Sequence, residues 1–149
     1  ILDRPASETE RPKPLPAGSY LTVVKGLPRR DKSSKKGTPF VEFVLQIIQP
    51  MDDVDVEALE AWAAKPDGSK RAIHEALIKA TYYLTEDALW RLKDFIQHCL
   101  HEDVPDGASY SQLIEQLPNS QVIANLRHEA SDDGQSIFAR LNSTAPVEA

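Results

Sequence analysis

Residues 18–49 carry two runs, GSYLTVVKGL and FVEFVLQIIQ, in which apolar and polar positions alternate with the two-residue period of half-buried β-strands. The first predicts a strand over residues 18–27, ended by Pro28, with Leu21, Val23 and Leu27 on one face and Tyr20, Thr22 and Val24 on the other, outward one. The second predicts a strand over residues 40–49. Its core set is Val41, Phe43, Leu45 and Ile47; Phe40, Glu42, Val44, Gln46 and Ile48 fall on a half-wet face. From Pro50 the period changes. Acids open DDVDVEALEAWAA, where they meet the positive end of a helix dipole, and Pro66-Asp67-Gly68 closes it, which predicts a helix over residues 54–64. β-branched and aromatic residues gather at the end of KRAIHEALIKATYYL, so a third strand is expected over residues 78–84, with Ile78, Ala80, Tyr82 and Leu84 inward and Lys79, Thr81 and Tyr83 outward.

Helical spacing is clearest next. Thr85 is an N-cap, Glu86 and Asp87 fill the first turn, and Leu89, Leu92, Phe95, Ile96 and Cys99 form one stripe of a helix over residues 86–100. Ser109 with Gln112 resembles a capping box and opens a short helix that stops before Pro118. Strands over residues 121–128 and 136–141 follow, joined through Ser131-Asp132-Asp133-Gly134, with Val122, Ala124 and Leu126 facing in beside Ile137, Ala139 and Leu141. No repeat of solenoid period is present.

This order predicts an α+β, mainly β chain: a five-stranded OB-fold-like barrel with a helix between strands three and four and a helical insertion, residues 50–77, between strands two and three. Residues 17–146 form the single domain. Residues 1–16 hold Pro5, Pro12, Pro14 and Pro16 among polar residues, too little apolar surface to offset ordering entropy, and read as an arm, either a disordered leader or a strap on a neighbouring subunit. Residues 147–149 are a short tail, and TAPVEA, with Glu148 its one acid, lacks the acidic tail through which many strand-coating proteins recruit partners.

Charge sharpens the functional reading. The 149 residues carry a formal net charge of -6, yet RRDKSSKK at residues 29–36 holds five positive charges against one negative. A cationic finger between two strands of an acidic protein points to a local anion site, and the expected polyanion is nucleic acid. Lys25, Arg29, Arg30, Lys32, Lys35 and Lys36 are the candidate phosphate contacts, since single strands are held by mobile cations that release counterions; the plainer reading is a hairpin tip kept polar for solubility. Tyr20, Phe40 and Tyr83 are candidate base-stacking rings on the outer face, with Phe138 a weaker fourth, and Lys79, Arg127 and Arg140 would meet phosphate beside them. In an OB-fold the connection between the first two strands borders the nucleic-acid surface, where the basic segment falls.

Other chemistry is excluded or ordinary. His98, Cys99 and His101 have no second cluster at ligand spacing, and His74 and His128 stand alone, so no metal is expected. Asp52, Asp53 and Asp55 suit a helix start, and Asp132 and Asp133 a tight turn. No phosphate-cradling glycine loop and no nucleophile with its base is evident, so no enzyme activity and no cofactor is expected. Cys99, the one cysteine, reads as buried filler, and Trp62 as packing of the insertion onto the barrel. No apolar run reaches membrane-spanning length and the first residues lack a signal-peptide core, which predicts a cytoplasmic protein with no membrane partner.

Taken together, LPAGSY, KGLPRRDKSSKKGTPFVEFVLQI, YYLTEDALWRLKDF and SQVIANLRHEASDDGQSIFARL resemble a family of small phage and prophage proteins encoded among replication and recombination genes. The resemblance spans roughly Pro14 to Pro146, though the segment bearing Trp62 matches no OB pattern. It implies a single-stranded-DNA-binding protein that coats exposed strands without sequence specificity in the host cytoplasm, with a homo-oligomer and replication or recombination proteins as further partners. The alternative is a virion or assembly component that uses the arm and the outer face for protein contacts.

Overall fold

A computed structural model describes residues 14–65, 68–104, 107–132, 134 and 137–147. Six strands, three α-helices and one 3₁₀ turn follow in the order β1 (Gly18–Val24), β2 (Arg29–Lys32), β3 (Pro39–Pro50), α1 (Val56–Ala63), the 3₁₀ turn (Ile73–Glu75), β4 (Leu77–Tyr83), α2 (Leu89–Leu100), α3 (Tyr110–Glu115), β5 (Gln121–Ala130) and β6 (Ile137–Ala145). All strand pairs are antiparallel. The long β3 carries β1 and β2 along one side and β4 along the other, and β1 continues the sheet through β5 to β6.

The expected five-stranded OB-fold barrel is therefore corrected: the strands form one open six-stranded sheet. Its two end strands, β4 and β6, approach each other, but no ladder joins them among the described residues. Helix α2 packs against both. The His98 ring Nδ1 lies 2.8 Å from Thr144 Oγ1 of β6. On the other side, the Phe95 ring packs 5.0 Å from that of Tyr82 and 4.8 Å from that of Phe43. Side chains of one helix thus hold the two ends at a distance that backbone pairing would have closed.

The extra strand comes from the basic segment. Arg29–Lys32 pairs with β3, Arg29 opposite Glu42 and Lys32 opposite Pro39, so half of the expected mobile loop is ladder. Charged residues have little β-propensity, which hid the strand from the pattern. The remaining turn is closed by the Ser33 amide donating to the Thr38 carbonyl (2.8 Å) and the Gly37 amide to the Ser33 carbonyl (2.9 Å).

Burial reverses one expected face. Tyr20, Thr22 and Val24 are in the core, Leu21 and Val23 are half-buried, and Leu27 lies beyond the strand in solvent. Both faces of this run are apolar enough to be core, so alternation gives the period but not its phase. Thr22 resolves its hydroxyl by donating to the Val122 carbonyl at 2.7 Å. In β3 the expected core set Val41, Phe43, Leu45 and Ile47 is buried, and Phe40 joins it from the opposite face. In β4, Ile78 and Ala80 are buried, Tyr82 is half-buried, and Leu84 lies past the strand and exposed. Val122, Ala124 and Leu126 of β5 are core; Ala139 and Leu141 of β6 pack on it, whereas Ile137 is exposed.

The helices keep their stripes with shifted ends. Leu92, Phe95, Ile96 and Cys99 are buried, but α2 begins at Leu89; before it, Thr85 Oγ1 accepts from the Ala88 amide in a separate turn. Ser109 caps α3 by accepting from the Gln112 amide, and Asp55 caps α1 by accepting from the Glu57 amide. Trp62 is buried, with the Arg71 guanidinium 5.7 Å from its ring. Of the N-terminal arm, residues 1–13 lie outside the described residues. The end that is described is tied down: the His128 ring Nε2 is 2.7 Å from the Leu15 carbonyl, and the Tyr20 hydroxyl donates to the Pro16 carbonyl at 2.7 Å.

Candidate nucleic-acid interface

Where β4 and β6 fail to pair, the surface opens into a groove of about 1190 Å³. Residues of β4 and of β6 form its walls, α2 lines it with Trp90, Arg91, Asp94 and His98, and Phe40 and Glu42 from the start of β3 reach into it. Ser33 and Ser34 also line it, so the basic turn stands at its border. The lining cations are Lys79, Arg91, Arg127 and Arg140, and the lining carboxylates are Glu42 and Asp94. A groove with more cations than acids, on a chain of net charge -6, is a local reversal of the protein's field.

Two of these cations are set against each other. Arg127 and Arg140 are partners in the β5–β6 register, which puts their side chains on one face of the ladder. Like charges directly opposite cost stability. Arg140 is partly compensated by Glu129 (Nε to Oε2, 2.9 Å) and lies 5.5 Å from the Phe138 ring centroid, while Arg127 donates, among the described residues, to a neutral acceptor, Asn142 Oδ1, at 3.3 Å. A bound anion between the two guanidiniums would relieve the repulsion.

No family model matches the chain, and no curated protein matches it. The chemistry of the groove therefore follows from its own residues.

Five expected site residues line the groove: Phe40, Lys79, Tyr83, Arg127 and Arg140. Tyr83 is 46% exposed and makes an edge contact with Phe40, ring centroids 6.0 Å apart at 64°. Phe40 itself is covered, by Tyr83 on one side and by the Arg29 guanidinium 5.2 Å from its ring on another. It supports Tyr83 rather than offering a face of its own. Tyr20 is corrected outright: it is fully buried, and burial first, then the Asp53 carboxylate, push its phenol up to about 12, so it remains a neutral donor to Pro16. It stacks on nothing outside.

The basic segment divides in the same way. Arg29 is held by Asp31 at 2.7 Å and lies 3.6 Å from Glu42, so its charge is already answered. Arg30 pairs with Val41 and Lys32 with Pro39, which sets both on the sheet face opposite to that of Phe40 and Glu42. Lys35 and Lys36 are exposed on the turn that follows the groove-lining Ser34, and Lys25 is exposed in the β1–β2 connection. Phe138 is exposed near the turn end of the β5–β6 hairpin and does not line the groove.

Sequence reasoning missed Trp90 and Arg91. Trp90 is 58% exposed, with the Arg91 guanidinium 5.4 Å from its ring centroid. The available signal was a tryptophan lying off the stripe of Leu89, Leu92, Phe95, Ile96 and Cys99, which sets a large ring on the wet side of an amphipathic helix. Among the described residues no group of three or more His, Cys, Asp or Glu is placed to hold a metal ion, and no helix is long and apolar enough to cross a membrane.

Proposed function

We propose that this protein binds single-stranded DNA along the groove between β4 and β6. Exposed Tyr83 and Trp90 stack on unpaired bases, and Lys79, Arg91, Arg127 and Arg140 meet phosphates; both modes tolerate any base sequence. Lys35 and Lys36 extend the cationic track at its border. The observation that carries the reading is the Arg127–Arg140 juxtaposition in a groove that also presents two open rings. A duplex is disfavoured because its bases offer no faces to stack on, and because the chain as a whole is acidic. The role that fits such binding is holding exposed strands during phage replication or recombination, as the sequence resemblance suggests. The support comes from the groove and not from a barrel.

The test is fluorescence anisotropy with labelled oligothymidylate, single-stranded and duplexed with oligoadenylate, at low and high salt. Binding to the single strand that weakens steeply with salt supports the reading, and its absence at low salt overturns it. A second reading, an assembly component, draws on Ile137 and Phe138, both exposed on β6 near its turn. Sizing of the Ile137→Ser, Phe138→Ser double variant tests it: a change of oligomeric state with DNA binding absent would favour that reading.

A further inference from the structure

One lining residue runs against phosphate binding. The Glu42 carboxylate sits in a cationic groove, where it repels a nucleic-acid backbone. It is not needed to neutralise Arg29, which already has Asp31 at 2.7 Å against 3.6 Å to Glu42. It is nevertheless held in place: Thr81, its cross-strand partner, donates from its hydroxyl to Oε2 at 2.9 Å, and the Arg29 guanidinium lies 3.6 Å from Oε1. Its side chain is 15% exposed, so it presents a narrow aperture rather than a loose surface charge.

Its neighbours on the same face supply the rest. Phe40 pairs with Tyr83 and Glu42 with Thr81 in consecutive same-face rows of the β3–β4 ladder. Such rows are roughly 7 Å apart, two residues of strand rise, about the span of a purine. A base stacked on Tyr83 therefore has its edge within reach of Glu42. An ionised carboxylate only accepts, with two lone-pair directions on each oxygen. Thr81 takes one on Oε2 and Arg29 leans on Oε1, which leaves one direction on each oxygen. The base edge that fits is one with two adjacent donors, and among the common bases that is the N1–H and N2–H pair of guanine. Cytosine and adenine offer one amino group, and thymine offers one N–H between two carbonyl oxygens that the carboxylate repels.

We infer that Glu42 reads guanine at the base position stacked on Tyr83, with Thr81 and Arg29 orienting the carboxylate. This rests on the groove being a single-strand site, and it adds a preference at one position to otherwise sequence-tolerant binding.

The experiment measures affinity by anisotropy for three strands of equal length: oligothymidylate, the same strand with guanine at every third position, and that strand with inosine for guanine. Guanine is expected to raise affinity about tenfold over thymine alone, within the range of a two-donor base contact. Inosine, which lacks the N2 amino group, should lose most of that gain without any change to the protein. Glu42→Gln keeps size and can still accept from Thr81 but loses the acceptor pair, so the guanine preference should vanish while the all-thymine strand binds a few-fold tighter. Equal affinity for guanine and thymine strands, or a preference that survives inosine or Glu42→Gln, overturns the assignment of Glu42 while leaving groove binding in place. No binding to any of the three overturns both.

Discussion

Arg127 and Arg140 face each other across the β5–β6 ladder, two positive side chains on one side of the sheet, with the Glu129 carboxylate paired to Arg140. A folded protein that keeps such a pair loses a little stability for it, roughly 0.2–1 kcal/mol. Arg127→Gln should accordingly melt at the same temperature or slightly higher. Its affinity for a single strand should fall, and the slope of log affinity against log salt should shrink by about 0.7, the value for one fewer phosphate neutralised on a single strand. Melting curves and a salt titration read the two effects separately. An unaltered slope would mean that Arg127 does not meet phosphate.

The two tyrosines assigned to one surface by the sequence separate into different roles, and paired substitutions should show it. Tyr83→Ala removes an open ring and should weaken single-strand binding by about 1–3 kcal/mol, with little effect on melting. Tyr20→Phe removes the hydroxyl that donates to Pro16 and should cost about 0.5–1.5 kcal/mol of stability without changing the affinity of the folded protein. Urea denaturation and anisotropy on both variants make the comparison.

Trp90 gives the proposed interface its own reporter. The chain's other tryptophan, Trp62, is buried beside Arg71. In a Trp62→Phe background the remaining fluorescence comes from Trp90 alone and should be quenched by a single strand and left nearly unchanged by mononucleotides at equal concentration. Trp90→Ala should reduce affinity by an amount similar to Tyr83→Ala, about 1–3 kcal/mol.

Cys99 predicts a pH effect. Burial pushes its thiol up to about 12 from an ordinary value of 9.0. The folded state thus holds its proton where the unfolded state loses it, so this contribution is fully present below pH 9 and is lost as pH rises from about 9 to 12. Stability measured across that window should decline less steeply in Cys99→Ala, although that variant starts from a lower value because a buried side chain is shortened. Thiol reagents should label Cys99 at neutral pH only as fast as the protein opens.

The fold was legible wherever one chemical preference dominated. The core face of β3 is apolar at Val41, Phe43, Leu45 and Ile47 and half polar opposite, so period and phase both follow from the residues. In β1 the two sets differ too little for alternation to fix the phase; it is decided by packing, with the Tyr20 hydroxyl donating to the Pro16 carbonyl four residues away and the Thr22 hydroxyl to the Val122 carbonyl a hundred residues on. β2 was hidden because its four residues are all charged and its partner lies across a turn. Closure of the sheet is a property of how α2 sits between strands distant in sequence, which element order does not contain. The lining of the candidate groove was legible by composition at Lys79, Tyr83, Arg127 and Arg140 but not at Trp90, whose helix was read only for its buried stripe.

Because α2 rather than a ladder bridges β4 and β6, the walls of the groove are spaced by side-chain contacts such as Phe95 on Tyr82 and His98 on Thr144. A hydrogen-bonded pair would be pinned near 4.8 Å. The width of the cleft is therefore a matter of side-chain packing, and a substitution at His98 or Thr144 would alter its span without breaking a backbone hydrogen bond between β4 and β6.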